Sequence, residues 1–177
     1  MILALDYGEK RIGVAVSDES HRFAKALDYL PNKSEPKKIF AKDFPKGTAQ
    51  TVINDARRLA KRECKTEFRK LCNKLVYIIN LYYPEIVLIG LPTIVDLETQ
   101  QPVLGPQAKK ITEFAKKLDV CLKQNKILLE IKFVEESMTS MFAEKNLREQ
   151  GLTNDKIREH IDSESARILL EGYLSSI

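Results

Sequence analysis

Acidic side chains stand at three places where a predicted element begins or ends: Asp6, the pair Glu135-Glu136, and Asp162. Ile2 to Leu5 is an apolar run that stops in Asp6, and Ile127 to Val134 reads as another strand, which ends in Glu135-Glu136. Asp162 opens a stretch in which Ala166, Leu169, Leu170 and Tyr173 share one helical face. If the strands carrying Asp6 and Glu136 are neighbours in one sheet, both carboxylates emerge at one sheet edge, where α/β proteins bind ligands. A helix beginning at Asp162 brings a third to the same place. Carboxylates held within a few ångströms repel one another, so such a cluster needs protons or cations. Hard oxygen donors select Mg²⁺ or Mn²⁺. Two such ions about 4 Å apart activate water and stabilise the leaving oxygen in phosphodiester hydrolysis.

Each position also has an ordinary reading. Asp162, followed by Ser163-Glu164-Ser165, suits a plain helix N-cap. Glu135 and Glu136 suit a solvated strand end, and strand alternation lets only one of them face the cluster. Asp6, two residues before Gly8, suits an Asx-type turn. Only the combination points to chemistry.

The elements that must position these groups follow from periodicity. Ile2–Asp6 and Arg11–Ser17 read as two strands joined by a tight turn at Gly8-Glu9-Lys10, and Ala24–Leu30 as a third, which makes an antiparallel meander. Residues 31–47 carry Pro31, Pro36, Pro45 and Gly47 and read as loop. Thr48 to Tyr83 contains neither Gly nor Pro, and its apolar residues fall at helical spacing, with a break expected near Cys64–Thr66 because an unbroken helix would run about 54 Å. Tyr82 reads as core and Tyr83 as the helix end. Ile86–Leu91 is a continuous apolar run, as in a parallel strand covered on both faces. Pro92–Pro106 reads as loop, the segment around Ile111–Leu118 as helix, and Thr139–Gln150 as a helix stopped by Gly151. A polar connection then leads to Asp162. The order predicts one α/β layered domain with a mixed sheet.

The length of 177 residues fits a single domain, and net charge +4 is compatible with a nucleic-acid partner without requiring one. Cys64, Cys72 and Cys121 are odd in number and lack zinc-type spacing, and His21 and His160 are too few for a histidine metal cluster. No apolar run reaches membrane-spanning length, which predicts a soluble, cytoplasmic protein. Charge is concentrated between Arg57 and Lys74. There Arg58, Lys61, Arg62, Lys65 and Arg69 follow helical spacing opposite the apolar face, as a solvated helix face or as a stripe for nucleic-acid phosphates. Lys10, in the first turn, is placed either to reach a scissile phosphate or simply at a hairpin tip.

The stretch Leu5-Asp6-Tyr7-Gly8-Glu9-Lys10-Arg11-Ile12-Gly13-Val14-Ala15-Val16-Ser17-Asp18 closely resembles the opening motif of the YqgF (RuvX-like) family, bacterial proteins described as pre-16S rRNA nucleases and as Holliday junction resolvases. Ile89-Gly90-Leu91-Pro92 with Asp96, Glu135-Glu136-Ser137-Met138-Thr139, and Ile161-Asp162-Ser163-Glu164-Ser165-Ala166 resemble its later motifs in the right order. The resemblance implies an RNase H-like, three-layer α/β fold with a mixed five-stranded sheet, three strands as antiparallel meander and two parallel. It also implies a divalent-metal nuclease using Mg²⁺ or Mn²⁺, two ions, with Asp6, Glu136 and Asp162 as metal-binding catalytic carboxylates and Glu135 as an additional candidate, beside Lys10 from its place in the first turn. Position in the motif alone favours Glu136 over Glu135. Ser137 stands where the family has Arg, Met138 where it has Leu, and residues 31–65 look like an insertion within the single domain 1–177.

The expected function is hydrolysis of phosphodiester bonds in processing the 5′ end of pre-16S rRNA. A resolvase cutting four-way DNA is the alternative; its symmetric cuts would favour a dimer, whereas nothing in the sequence announces more than a monomer or weak homodimer. An inert RNA-binding protein is a further alternative, given the altered third motif. A Leu-Asp-x-Gly opening also begins sugar-kinase and actin-like ATPase chains. Those folds duplicate the domain, for which 177 residues is too short.

Overall fold

The computed structural model describes residues 1–33, 39–95, 102–136 and 139–177. Strand β1 (Ile2–Tyr7) is buried along its length apart from Asp6, which is half-buried. The chain turns at Gly8, whose N–H donates to the Arg11 carbonyl at 2.9 Å, and returns antiparallel as β2 (Arg11–Ser17), with Leu3 opposite Val16 and Asp6 opposite Gly13. A Cβ on residue 8 would lie 2.7 Å from the Arg11 carbonyl oxygen, so the turn needs glycine there. Strand β3 (Ala24–Pro31) completes the expected meander on the other side of β2.

Beyond a short 3₁₀ turn at Ala41–Asp43, helix α1 runs unbroken from Gln50 to Tyr82. The expected break near Cys64–Thr66 is absent. One apolar stripe, Ile53, Ala60, Leu71, Cys72, Leu75 and Ile79, continues through it, and no residue there interrupts the hydrogen-bond ladder. Tyr83, in the left-handed region at φ 47°, caps the helix, and Glu85 N–H then reaches the Met1 carbonyl at the start of β1. Strand β4 (Ile86–Val95) lies parallel to β1, and β6 (Glu130–Glu136) parallel to β4. The 92–106 stretch is not simply loop. The β-branched run Thr93-Ile94-Val95 prolongs β4 past Leu91, and it pairs antiparallel with the short β5 (Pro102–Leu104).

The main sheet is therefore ordered β3-β2-β1-β4-β6, three antiparallel strands and two parallel ones as expected, with β5 an appendage of β4. Helix α1 and helix α2 (Pro106–Gln124) cover one face, around Leu3, Leu5, Val14, Leu75, Ile89, Ile111 and Leu118. Helix α4 (Asn154–Leu174) covers the other, around Ile2, Ala4, Ala15, Leu88, Leu169 and Leu170, with α3 (Thr139–Glu149) packed beside it. Helix α4 begins two turns earlier than its apolar pattern announces, because its first residues bury only Ile157. Thr153 is its N-cap residue, so Asp162 lies mid-helix and the N-cap reading of Asp162 fails. Among the described residues no helix is long and apolar enough to cross a membrane.

Candidate active site

Alternation along β1 places Leu3, Leu5 and Tyr7 in the α1/α2 core and Ile2 and Ala4 in the α4 core, so Asp6 faces α4. Two glycines open the space around it. Gly13 lies directly opposite Asp6, and a Cβ there would sit 1.8 Å from the Asp162 carbonyl oxygen. The backbone of α4 thus rests on β2 at the one position without a side chain, which carries Asp162 to the Asp6 side of the sheet. Gly90, next on β4, has a similar role: a Cβ there would lie 2.7 Å from Glu136 Oε2 and 3.3 Å from Leu169 Cδ1. Glu136, opposite Pro92 at the end of β6, folds its carboxylate into that gap.

The sheet also separates the two adjacent glutamates. Glu136 faces the α4 side with Asp6, and its Oε1 accepts a 2.6 Å hydrogen bond from the Thr139 hydroxyl at the start of α3. Glu135 is exposed on the opposite side, where its Oε1 accepts a 2.8 Å bond from Thr93. Another acid of the fourth motif is occupied elsewhere: Glu164 is buried and ion-paired with Arg167.

The electrostatics follow from this crowding. Burial, reinforced by the neighbouring Glu136 and then Asp162 carboxylates, raises the pKa of Asp6 to about 8. Burial also raises that of Asp162, against the opposing pull of Arg11. The Arg11 guanidinium lies 3.5 Å from Asp162 Oδ2, donates to the Arg158 carbonyl at 2.6 Å, and stacks 4.3 Å from the centre of the Tyr29 ring. It therefore ties β2, β3 and α4 together at the edge of the cluster. Among the described residues, no three His, Cys, Asp or Glu side chains already close into a metal cage. The donor set nonetheless fits a hard divalent cation: three carboxylates on one edge, the most buried kept neutral by burial and then by the charge of the others, with glycine in place of any side chain that would fill the gap.

The remaining basic candidates are exposed. Lys10 is exposed on the β1–β2 turn. Arg58, Lys61, Arg62, Lys65 and Arg69 are exposed on α1, the helix on the other face of the sheet. Asp96, Ser137 and Met138 fall outside the described residues. Sequence reasoning passed over Gly13, Gly90 and Thr139 and set Lys10 ahead of Arg11. A glycine inside a buried strand is a signal of close approach and could have pointed to the first two.

The chain is similar to known proteins in sequence and in fold. A protein from Chloroflexus aurantiacus named "Putative pre-16S rRNA nuclease" is 30% identical over 176 residues, covering 99% of this chain and 87% of its own. One of the same name from Clostridium botulinum is 27% identical, covering 99% and 97%. The structure of Thermus thermophilus RuvC in complex with a Holliday junction substrate superposes with a TM-score of 0.50 at 12% identity, covering 99% of this chain and 94% of that one, a likeness of fold. The family model described as RuvX, Holliday junction resolvase, matches residues 1–46 and 46–176, and the chain belongs to that family.

Proposed function

We propose that Asp6, Glu136 and Asp162 hold divalent cations, Mg²⁺ or Mn²⁺, two per site, and that the chain hydrolyses phosphodiester bonds of structured RNA in 5′-end processing of pre-16S rRNA. One observation carries the reading. Asp6 stands half-buried at a strand end beside two further carboxylates, which leaves negative charge that protons or cations must balance. Bound divalent ions supply Lewis-acid stabilisation of the developing phosphate charge and a more acidic attacking water.

The chain's own residues prepare the site for them. The Thr139 hydroxyl orients Glu136, as a hydrogen bond from beyond the ligand shell commonly does. Arg11 fixes Asp162 through one carboxylate oxygen and docks α4. Lys10, on the turn after β1, meets the phosphate backbone near the cut, and Arg58, Lys61, Arg62, Lys65 and Arg69 hold it farther away. Glu135, bonded to Thr93 across the sheet, takes no part.

The RuvX description favours branched DNA as the alternative substrate. Both are tested by offering wild type and Asp6→Asn a labelled 16S precursor RNA, single-stranded RNA and a four-way DNA junction with Mg²⁺, Mn²⁺ or EDTA. Metal-dependent cleavage of the precursor RNA, lost in Asp6→Asn, is the expected result. Preferential cutting of the junction would establish the alternative. Cleavage that survives EDTA or Asp6→Asn would overturn the mechanism, and no cleavage by wild type would leave a binding protein.

A further inference from the structure

Helix α1 is longer than the sheet it covers. It ends beside the start of β1, where Glu85 N–H meets the Met1 carbonyl, and it reaches the other end of β1 at Phe68. There the Phe68 ring lies 6.3 Å from Phe114, which lies 4.9 Å from Tyr7, the neighbour of Asp6. Glu67 is likewise within electrostatic reach of Lys33, just past β3. The helix running back from Glu67 to Gln50 therefore overhangs the sheet edge that carries Asp6 and Glu136, by about 27 Å at 1.5 Å per residue. This overhang has packing of its own. Ile53 and Ala60 on it are buried, and Arg57 Nε donates to the Ile39 carbonyl at 3.2 Å, so the chain from Ile39 runs alongside.

The outer face of the overhang carries Arg58, Lys61, Arg62, Lys65 and, at its root, Arg69, all exposed. The four from Arg58 to Lys65, with Arg69, span about 16 Å of helix axis. Asp55, 3.5 Å from Arg58, is an exposed acidic neighbour. No Phe, Tyr or Trp occurs between Gln50 and Glu67. Surfaces built for single strands combine positive charge with aromatic stacking platforms, and this one has charge alone. Cations spaced regularly along a helix best suit phosphates already held at regular spacing, because then neither backbone has to be ordered on binding.

We propose that this overhanging half of α1 is a docking arm for the phosphate backbone of a nucleic-acid duplex, which sets the helical part of the substrate beside the strand cut at the carboxylate edge. The proposal rests on the nuclease reading for the word substrate, whereas binding by the arm is independent of cleavage. RNA and DNA duplexes offer the same backbone chemistry, so both belong in the test.

Binding is read by fluorescence anisotropy in EDTA across a KCl series, with an RNA duplex, a DNA duplex and the corresponding single strands. Three proteins are compared: wild type, the triple variant Arg58→Ala/Arg62→Ala/Arg69→Ala, and the control Lys25→Ala/Lys145→Ala/Lys156→Ala, which removes equal charge from exposed positions elsewhere. Circular dichroism verifies that each is folded. The arm variant should bind duplex about tenfold or more weakly, with its salt slope flattened by about three units, while the control stays within about twofold of wild type. The duplex bound more tightly identifies the natural backbone. Equal weakening in arm variant and control, or equal weakening for duplex and single strand, would overturn the proposal. Wild type that binds duplex through the arm yet cleaves nothing with Mn²⁺ would remove the nuclease reading and leave the arm standing.

Discussion

Replacing Asp6 by Asn should stabilise the protein when divalent ions are absent. In the fold, burial and then the Glu136 and Asp162 carboxylates hold the Asp6 pKa at about 8, against an ordinary value of 3.8. Between those two values the folded state keeps a proton that the unfolded chain releases. The unfolded state then binds fewer protons, so stability falls as pH rises from about 4 to about 8, the reverse of the usual carboxylate. Each pH unit is worth about 1.4 kcal/mol, so at pH 7 the full linkage approaches about 4 kcal/mol. Local relaxation around a half-buried group brings this to about 2–4 kcal/mol. Asn has the shape of the protonated acid and nothing to ionise, so the variant regains that amount. The lower figure corresponds to a rise in Tm of about 4–8 °C for a chain of this size. The assay is thermal unfolding in EDTA across this pH range. Wild type should lose stability toward pH 8 while Asp6→Asn stays higher and loses less, with only the smaller contribution of Asp162 remaining. Adding Mn²⁺ should raise the wild-type Tm and leave the variant unchanged. A variant that melts lower than wild type at pH 7, or parallels its pH curve, would refute the electrostatic argument.

The glycines and the neighbouring glutamates give further tests. Gly13→Ala sets a Cβ 1.8 Å from the Asp162 carbonyl, backbone against backbone, and should destabilise by about 3 kcal/mol or more, read from denaturant midpoints. Gly90→Ala presses instead on the flexible end of Glu136, so it should cost little stability while lowering metal-dependent cleavage by about tenfold or more. Glu136→Gln should abolish cleavage while Glu135→Gln, on the other side of the sheet, stays near wild type; kinetics with Mn²⁺ separate the two. Thr139→Ala removes the 2.6 Å hydrogen bond to Glu136 and should weaken metal affinity about tenfold, measured by Mn²⁺ titration.

What could be read in the sequence was whatever periodicity and strand ends encode directly. The meander appears because Ile2–Leu5 and Ile12–Val16 are apolar runs on either side of a glycine turn, and Asp6 and Glu136 stand out as charges at strand ends. Where the pattern is diluted, the reading went astray. Asn154–Ile161 is helical but almost wholly polar on its outer side, so α4 seemed to begin at Asp162. The unbroken α1 was doubted on length alone, although its apolar stripe continues. In the sequence, position in the motif alone favours Glu136 over Glu135, whereas the faces of the two depend on the pairing register, and the partnership of Arg11 with Asp162 spans 151 residues, a separation that no local pattern encodes. The overhang of α1 likewise depends on where Phe68 meets Phe114, a packing contact between two helices.

The claim that three carboxylates converge to bind cations is tested most directly by calorimetric titration with Mn²⁺ near pH 7, in two buffers of different protonation enthalpy. With the Asp6 pKa at about 8, binding to the wild type should be saturable and should release about one proton, because the ion replaces the proton that keeps Asp6 neutral. Glu135→Gln should behave like wild type, and Asp6→Asn should lose both the binding and the proton release. Saturable binding with no proton released, or binding that survives in Asp6→Asn, would contradict the account.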